Sequence, residues 1–462
     1  MSAKISIPRI LIAAPHSGAG KTTVTMGLAA WLSREMMVRP FKVGPDYIDP
    51  GYLEAGAGAP AINLDGWLLS KNRVKQVFYR YSQDSDIALI EGVMGLFDGR
   101  ADSEAGSAAQ IAKWLDVPVL LVVDAARAAG RSLAAVVSGF CGFDKELEIG
   151  GVFLNRVGSA SHLENARSSI EKHTGVPVIG YLPNDPGLAA TSRHLGLVQS
   201  PRADLEALAR RIGSTLAKTT DRGRLLALAA GSGPVPVAAD RRRKPAGRKI
   251  KIGVARDEAF SFYYHDTLAL LESLGAELAF FSPLGDARVP EAVDGLFFGG
   301  GWPELCAGRL SANSGMRKSI LKSGRAGLPI YAECGGLIYL TASLTDQTGL
   351  HEMVGLLPAS AKMTDSRQGL GYRQAKFHRP TVLGGRGLAV RGHEFHWSVV
   401  DREANDVFEP AYVYSDGRLE GFASDTLLAS YLHLNWNSCP ELAVNFIDSC
   451  LEAKGCLTRA LS

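Results

Sequence analysis

The sequence predicts an α/β protein built from two doubly wound domains. Three observations carry this expectation. Apolar runs of strand length alternate with stretches of helical spacing in both halves of the chain. The rhythm loosens from about Gly213, passes a Gly/Pro-rich and then a basic stretch, and restarts at Lys249. Each half also carries a glycine-rich loop directly after a strand-like run. The expected organisation is a first domain over 1–230, a linker over 231–248 and a second domain over 249–462.

The first half is organised around Arg9 to Thr23. Ile10 to Ala14 reads as a buried strand that breaks at Pro15. A loop with Gly18 and Gly20 follows, then Lys21-Thr22-Thr23 and a stretch of helical spacing. Strand, glycine loop, Lys-Thr and helix together make a phosphate-binding loop. Backbone N–H groups close around phosphate oxygens, and the helix N-terminus adds its positive end. Lys21 is expected to reach the β/γ-phosphates, and the Thr22 hydroxyl to hold Mg²⁺. Gly18, Gly20, Lys21, Thr22 and Thr23 are the nucleotide-binding candidates. Pro15 stands where the full pattern has a glycine, so only G-x-G-K-T is intact.

The next strand ends at Val43 and runs into Gly44-Pro45-Asp46-Tyr47-Ile48-Asp49-Pro50. Loops at the carboxyl ends of strands form the ligand crevice of a parallel sheet. Asp46 and Asp49 are thus candidates for Mg²⁺ or substrate, and Lys42 for offsetting the charge of a transferred phosphoryl group. Asp86 to Ile90 is a further strand, ending in Glu91, the second metal candidate. Asp98, between Phe97 and Gly99, is a candidate for substrate or metal contact, or a turn-forming Asp-Gly. Further strands are expected over Pro118–Asp124, Ile149–Asn155 and Val176–Pro183. Asn155, at a strand end, could read an adenine edge or cap a helix. The run Asp240 to Lys249 reads as solvated linker.

In the second half, strands are expected over Ile250–Asp257, Glu277–Phe281, Asp294–Phe298 and Pro329–Ala332, with a helix that stops at Gly275. Cys334, in Glu333-Cys334-Gly335-Gly336, sits on a sharp strand-to-helix turn. Such an elbow projects a nucleophile and favours its thiolate. Gly299-Gly300-Gly301 can supply backbone N–H groups as an oxyanion hole. The candidate base is His433, with His393 and His396 as competitors that spacing does not separate.

Composition bounds the function. The chain has 462 residues, is 46% hydrophobic and carries a formal charge of +3. Neither nucleic acid nor a membrane surface is an expected partner. No apolar run reaches the ~20 residues of a membrane span, and the apolar N-terminal stretch is strand-length with no cleavage-site pattern. Six scattered cysteines suggest neither disulfides nor zinc and fit the reducing cytoplasm.

The chain resembles the cobyrinic acid a,c-diamide synthase family of cobalamin biosynthesis over essentially its whole length. The carrying motifs are collinear: APHSGAGKTT at 14–23, FKVGPDYIDP at 41–50, EGVMGLFDG at 91–99, FGGGWPE at 298–304, ECGG at 333–336, GHEFHWS at 392–398 and YLH at 431–433. The N-terminal half resembles a P-loop domain of the dethiobiotin-synthetase type, a group that commonly lacks the first loop glycine. The C-terminal half resembles a class I, triad-type glutamine amidotransferase domain. In this subfamily the third triad carboxylate is typically missing, and here Asn435 stands two after His433. Trp302 and Trp397 stand where tyrosine is common.

The resemblance implies an ATP-, Mg²⁺- and glutamine-dependent ligase. Cys334 attacks the glutamine amide, His433 serves as base and acid, and Gly300 and Gly301 hold the oxyanion. Ammonia is channelled to an acyl phosphate made from a substrate carboxylate. Thr22, Asp46 and Glu91 are the metal candidates, and Lys42, Asp46, Tyr47, Asp49 and Asp98 those for substrate and phosphoryl transfer. The implied substrate is a corrin-type tetrapyrrole polycarboxylate, amidated at its a and c acetates, with a homodimer as the candidate assembly. Hydrogenobyrinic acid and nickel sirohydrochlorin are the alternative substrates. The rival of a different class is a MinD/ParA-like P-loop switch that binds partners.

Overall fold

The computed structural model describes residues 3–128, 130–188, 202–239, 250–403 and 407–461, with side chains to residue 455. The chain divides into two compact units, 1–241 and 242–462.

The strands of the first unit are β1 (Ala3–Ile5), β2 (Arg9–Ala13), β3 (Val38–Val43), β4 (Ile62–Leu64), β5 (Ile87–Glu91), β6 (Val119–Asp124), β7 (Ile149–Val157), β8 (Val178–Pro183) and β9 (Val235–Val237). Seven of them form one parallel sheet in the order β4-β3-β5-β2-β6-β7-β8. Every residue of β2, β5 and β6 is buried, as strands covered on both faces require. Alternate side chains feed two cores. Leu11 and Ala13 enter one, while Ile10 and Ile12 enter the other. From β2 the chain crosses to β3 on one side, returns to β5 and then crosses to β6 on the other. The switch point lies beside β2, so its loop opens into the crevice of the sheet.

Two parts of the first unit differ from the sequence expectation. After Gly213 the chain stays regular, with helices over Arg202–Thr219 and Arg222–Ala230. The first buries Leu205, Ala209, Ile212 and Leu216 on one stripe. The stretch read as linker begins as a strand. β9 pairs antiparallel with β1, with Ala3 opposite Val237, and belongs to the first unit. The basic run 240–249 lies outside the described residues.

The second unit has β10 (Ile250–Ala255), β11 (Ala276–Phe281), β12 (Gly295–Phe298), β13 (Ile330–Glu333), β14 (Ser343–Asp346), β15 (Gly349–Glu352), β16 (Ala359–Met363), β17 (Gly369–Phe377), β18 (Ala389–His396), β19 (Ser398–Arg402), β20 (Tyr412–Tyr414), β21 (Leu419–Glu420), β22 (Phe422–Ala423), β23 (Leu427–Ser430) and β24 (Leu432–His433). The main sheet runs β11-β10-β12-β13-β23-β22, parallel except for its last strand. Two further sheets, β15-β14-β16-β19 and β21-β20-β17-β18-β24, occupy a region where the sequence announced none. Their strands have mixed burial. Along β17 buried, half-buried and exposed residues are interleaved, so the apolar run that marks a core strand is missing. The second unit is therefore a doubly wound sheet with added β layers.

Close backbone approach fixes the helix that follows the phosphate loop, Lys21–Leu32. A Cβ on Gly56 would stand 2.4 Å from the Met26 carbonyl oxygen, and one on Gly27 would stand 2.3 Å from Ile212 Cγ2. A Gly56→Ala change should therefore destabilise the first unit by about 1–3 kcal/mol through overpacking. A urea titration of the variant beside the wild type measures this.

Candidate active sites

The first site lies at the carboxyl ends of β2, β3 and β5. Gly18 and Gly20 both hold positive φ, at 80° and 100°. The helix Lys21–Leu32 starts on Gly20 with no side-chain cap. By contrast, Ser70, Ser107 and Ser159 cap the helices that follow them. The first N–H groups of Lys21–Leu32 thus have no side-chain competitor for an anion. Thr22 and Thr23 lie in its first turn.

Register brings the charged residues of this site together. Lys42 on β3 faces Glu91 on β5, and Ile12 on β2 also pairs with Glu91. Lys42 Nζ donates to Asp49 Oδ2 at 2.7 Å, to Glu91 Oε1 at 2.8 Å and to the Gly92 carbonyl at 3.1 Å. Asp46 Oδ2 lies 3.8 Å away. The Thr22 hydroxyl donates to the same Glu91 Oε1 at 2.8 Å. Glu91 is fully buried, and its Oε2 has no hydrogen-bond partner. Lys21 Nζ donates to the Met94 carbonyl. Burial first, and then Lys42, pull the Lys21 pKa down to about 8 against the opposing pull of Glu91 and Asp98.

The remaining candidates of the first unit have mixed placements. Asp46 Oδ1 accepts from the Ile48 and Asp49 N–H groups, so one oxygen shapes the loop. Tyr47 is half-buried in that loop. Asp98 Oδ2 accepts from Gly95 N at 2.7 Å, which gives it the turn-forming geometry. Asn155 Nδ2 donates to Ala19 O at 2.8 Å, so its amide nitrogen braces the phosphate loop. A Cβ on Gly20 would lie 2.0 Å from that nitrogen. Arg156 had no role in the sequence reading. It joins Asp124 Oδ2 at 2.6 Å to Gly18 O at 3.0 Å and holds φ at 60°.

The second site lies at the ends of β12, β13 and β23, three neighbours in the parallel sheet. Cys334 follows β13 with φ 46° and ψ −100°, and the helix Gly335–Leu340 begins at once. This strained turn is the expected elbow. The glycines are there for packing. A Cβ on Gly336 would meet Phe298 Cβ at 2.6 Å, and one on Gly335 would stand 3.0 Å from Gly301 N. The loop after β12 therefore lies against the elbow. Gly299 N donates to the Tyr263 hydroxyl at 2.8 Å, and Phe262 N to Gly300 O at 3.0 Å, which pins the loop from behind.

His433, on β24, is fully buried and hydrogen-bonds both Cys334 and Glu333. Its Nδ1 lies 3.3 Å from Glu333 Oε2. Burial lowers the imidazole pKa, but Cys334 and Glu333 outweigh burial and raise it to about 10. The rings of the competing histidines are engaged elsewhere. His396 stacks on Tyr431 at 3.7 Å, and its Nδ1 meets Ser398 O at 2.7 Å. His393 packs edge-on against Tyr372. Glu394, between them, is fully buried and paired with Arg373 at 2.6 Å and Arg418 at 2.9 Å. Burial pushes its pKa up, yet His396, Arg418 and Arg373 outweigh burial and hold it at about 2. Neither Glu333 nor Glu394 was singled out in the sequence. Each lies inside a motif, but only the fold gives it a partner.

One unit thus carries a phosphate loop with an acid–lysine cluster, and the other a cysteine elbow with an imidazole. This is the make-up of a glutamine-using, nucleotide-dependent ligase. Residues 10–198 match the CobQ/CobB/MinD/ParA nucleotide binding domain, and residues 251–440 match the CobB/CobQ-like glutamine amidotransferase domain. The cobyrinate a,c-diamide synthase of Dehalococcoides mccartyi strain 195 is 42% identical over 96% of this chain and 98% of its own. That of Picrophilus torridus is 40% identical over 96% of this chain and 99% of its own. Among solved structures, a glutamine amidotransferase from Thermotoga maritima aligns with 44% of this chain and 85% of its own, at 12% identity and a TM-score of 0.30. The chain belongs to the cobyrinate a,c-diamide synthase family. No described helix is long and apolar enough to cross a membrane.

Two expectations follow from the charges. Lys42→Met leaves Glu91 and Asp49 buried without their cation, so the first unit should lose about 3–5 kcal/mol in a urea titration. Glu394 is held well below its unfolded pKa, so it binds fewer protons folded than unfolded. Its stabilising contribution is complete above about pH 4.5 and is lost as pH falls toward 2. Thermal melts of Glu394→Gln should show a flatter stability curve across that window than the wild type.

Proposed function

We propose that this chain converts the a and c acetate carboxylates of cobyrinic acid to carboxamides, with glutamine as nitrogen donor and ATP as the source of activation. The observation that carries the reading is the pairing, in one chain, of the Cys334–His433 elbow with the Lys21–Thr22–Glu91–Lys42 cluster.

At the elbow, Cys334 Sγ attacks the glutamine side-chain carbonyl as a thiolate. His433 holds the displaced proton and delivers it to the leaving nitrogen. The C–N bond breaks, ammonia departs, and the thioester is hydrolysed by water to glutamate. The backbone N–H groups of Gly300 and Gly301 face the carbonyl oxygen as it gains charge.

In the other unit, a substrate carboxylate oxygen attacks the terminal phosphoryl group of ATP, and ammonia then displaces phosphate from the acyl phosphate. Lys21 and Lys42 offset the charge on the moving group. Tyr47, Asp49 and Asp98 belong to the loops that handle substrate. The residues present fit Mg²⁺. Glu91 Oε2 is buried without a partner beside the Thr22 hydroxyl, and Asp46 keeps one oxygen outside its turn. Among the described residues, no three metal-binding side chains converge. Bound there, Mg²⁺ would neutralise phosphate charge, while Thr22 and Glu91 orient it.

The test gives purified protein ATP, Mg²⁺ and glutamine with cobyrinic acid, hydrogenobyrinic acid or nickel sirohydrochlorin in parallel, read by mass spectrometry. The expected product is cobyrinic acid gaining two amides. Cys334→Ala should abolish glutamine-supported product, by about 10³-fold or more, and added ammonium should restore it. A diamide from another ring alone would move the substrate and keep the chemistry. No amidation of any ring would overturn the proposal in favour of a P-loop switch.

A further inference from the structure

An imidazole that works against a thiol must present one nitrogen and hold the other. Triad enzymes use a carboxylate for this, and the position two after His433 is occupied by Asn435. Its side chain is committed elsewhere. Asn435 Nδ2 lies 3.2 Å from Asp266 Oδ2, and its Oδ1 accepts from Asn437 N at 2.9 Å.

Glu333, Glu394 and Glu420 are buried carboxylates of the second unit. Glu394 is matched by Arg373 and Arg418. Glu420 accepts from the Ser430 hydroxyl at 2.6 Å and from Tyr431 N at 2.8 Å. Glu333 is the one whose oxygen meets His433 Nδ1. Its other oxygen accepts from Leu434 N at 3.0 Å and from the Tyr331 hydroxyl at 2.5 Å. One carboxylate therefore grips both the ring and the backbone of the His433 segment, and a buried tyrosine holds the carboxylate in turn.

We propose that Glu333 is the positioning carboxylate of the glutamine-hydrolysing site, holding His433 by Nδ1 so that Nε2 faces the Cys334 thiol. The inference rests on the glutaminase reading above. Its unusual feature is that the orienting acid and the nucleophile are sequence neighbours. In a strand, residues 333 and 334 would point to opposite faces. The positive φ at Cys334 breaks that alternation, so both side chains reach one imidazole. Gly300 closes the remaining side. A Cβ there would stand 2.4 Å from His433 Cε1, so the ring is walled as well as bonded. The titratable groups around the ring are Cys334 and Glu333 at the elbow, and His393 and Glu394 on the paired strand β18.

The test compares Glu333→Gln and Glu333→Asp with the wild type in the full chain, with circular dichroism and thermal melts as the measure of folding. In Glu333→Gln, kcat for glutamine hydrolysis should fall by about 10²–10⁴, while the glutamine KM stays within about threefold. Glu333→Asp should recover part of that loss. The second readout is the pH profile of Cys334 alkylation by iodoacetamide, which needs no turnover. Loss of the carboxylate makes the imidazolium less favourable, so the alkylation profile should shift to higher pH. Wild-type kcat with an unchanged alkylation profile in Glu333→Gln would overturn the proposal. A lost kcat with an unmoved profile and no recovery in Glu333→Asp would also overturn it, leaving Glu333 a structural residue. A wild type that fails to hydrolyse glutamine would instead count against the glutaminase reading, and the alkylation profiles would still decide the role of Glu333.

Discussion

A carboxylate at the end of a buried strand cannot stay charged without a partner, and each unit of this protein is built on one. Glu91 ends β5 and Glu333 ends β13, and both are almost wholly removed from solvent. Their partners stand on neighbouring chain segments, Lys42 on β3 and His433 on β24. An unpaired charge at either place would be far more costly than the pair that is there. The pairing therefore fixes where the functional side chains lie. Around Glu91 gather Lys42, Asp49 and Thr22. Around Glu333 gather His433, Leu434 N and Tyr331.

The backbone contributes the complementary half of both sites. The phosphate loop follows a parallel strand and leads into a helix whose start is not sealed by a side chain, and the helix after Cys334 starts the same way. Side-chain caps occur elsewhere in the first unit, at Ser70, Ser107 and Ser159, while the helices Asp49–Ala57 and Arg131–Phe143 also start without one. Leaving the helix starts at Gly20 and Cys334 uncapped is a cost in local stability that makes sense where N–H groups serve a ligand. Tight packing offsets that cost. Asn155 and Arg156 brace the phosphate loop from behind, and Tyr263 and Phe262 do the same for the loop beside Cys334.

The strands of the two main sheets were legible because they are continuous apolar runs, and the motifs stood at their carboxyl ends where a parallel sheet opens. The layers formed by β14 to β21 were not legible, since their side chains alternate between core and surface over short lengths. The helix Arg202–Thr219 was overlooked because its apolar stripe is interrupted by Arg210, Arg211 and Gly213, and only packing on Lys21–Leu32 explains the glycine. Val235–Val237 read as linker because Pro236 and the nearby glycines mask a three-residue strand that exists only through β1.

The chemistry on offer is written in the chain's local segments. Glycine spacing, Lys21 with Thr22, and a cysteine between a strand and two glycines each constrain the local backbone, and local constraints are written in neighbouring residues. Which groups act on one another is settled only in the folded chain. His433 among three histidines, Glu333 rather than Asn435, and Lys42 among three acids are choices between residues 4 to 100 positions apart. They depend on strand order, register and the cost of burying charge. Those are properties of the folded sheet, and no single segment of the chain carries them.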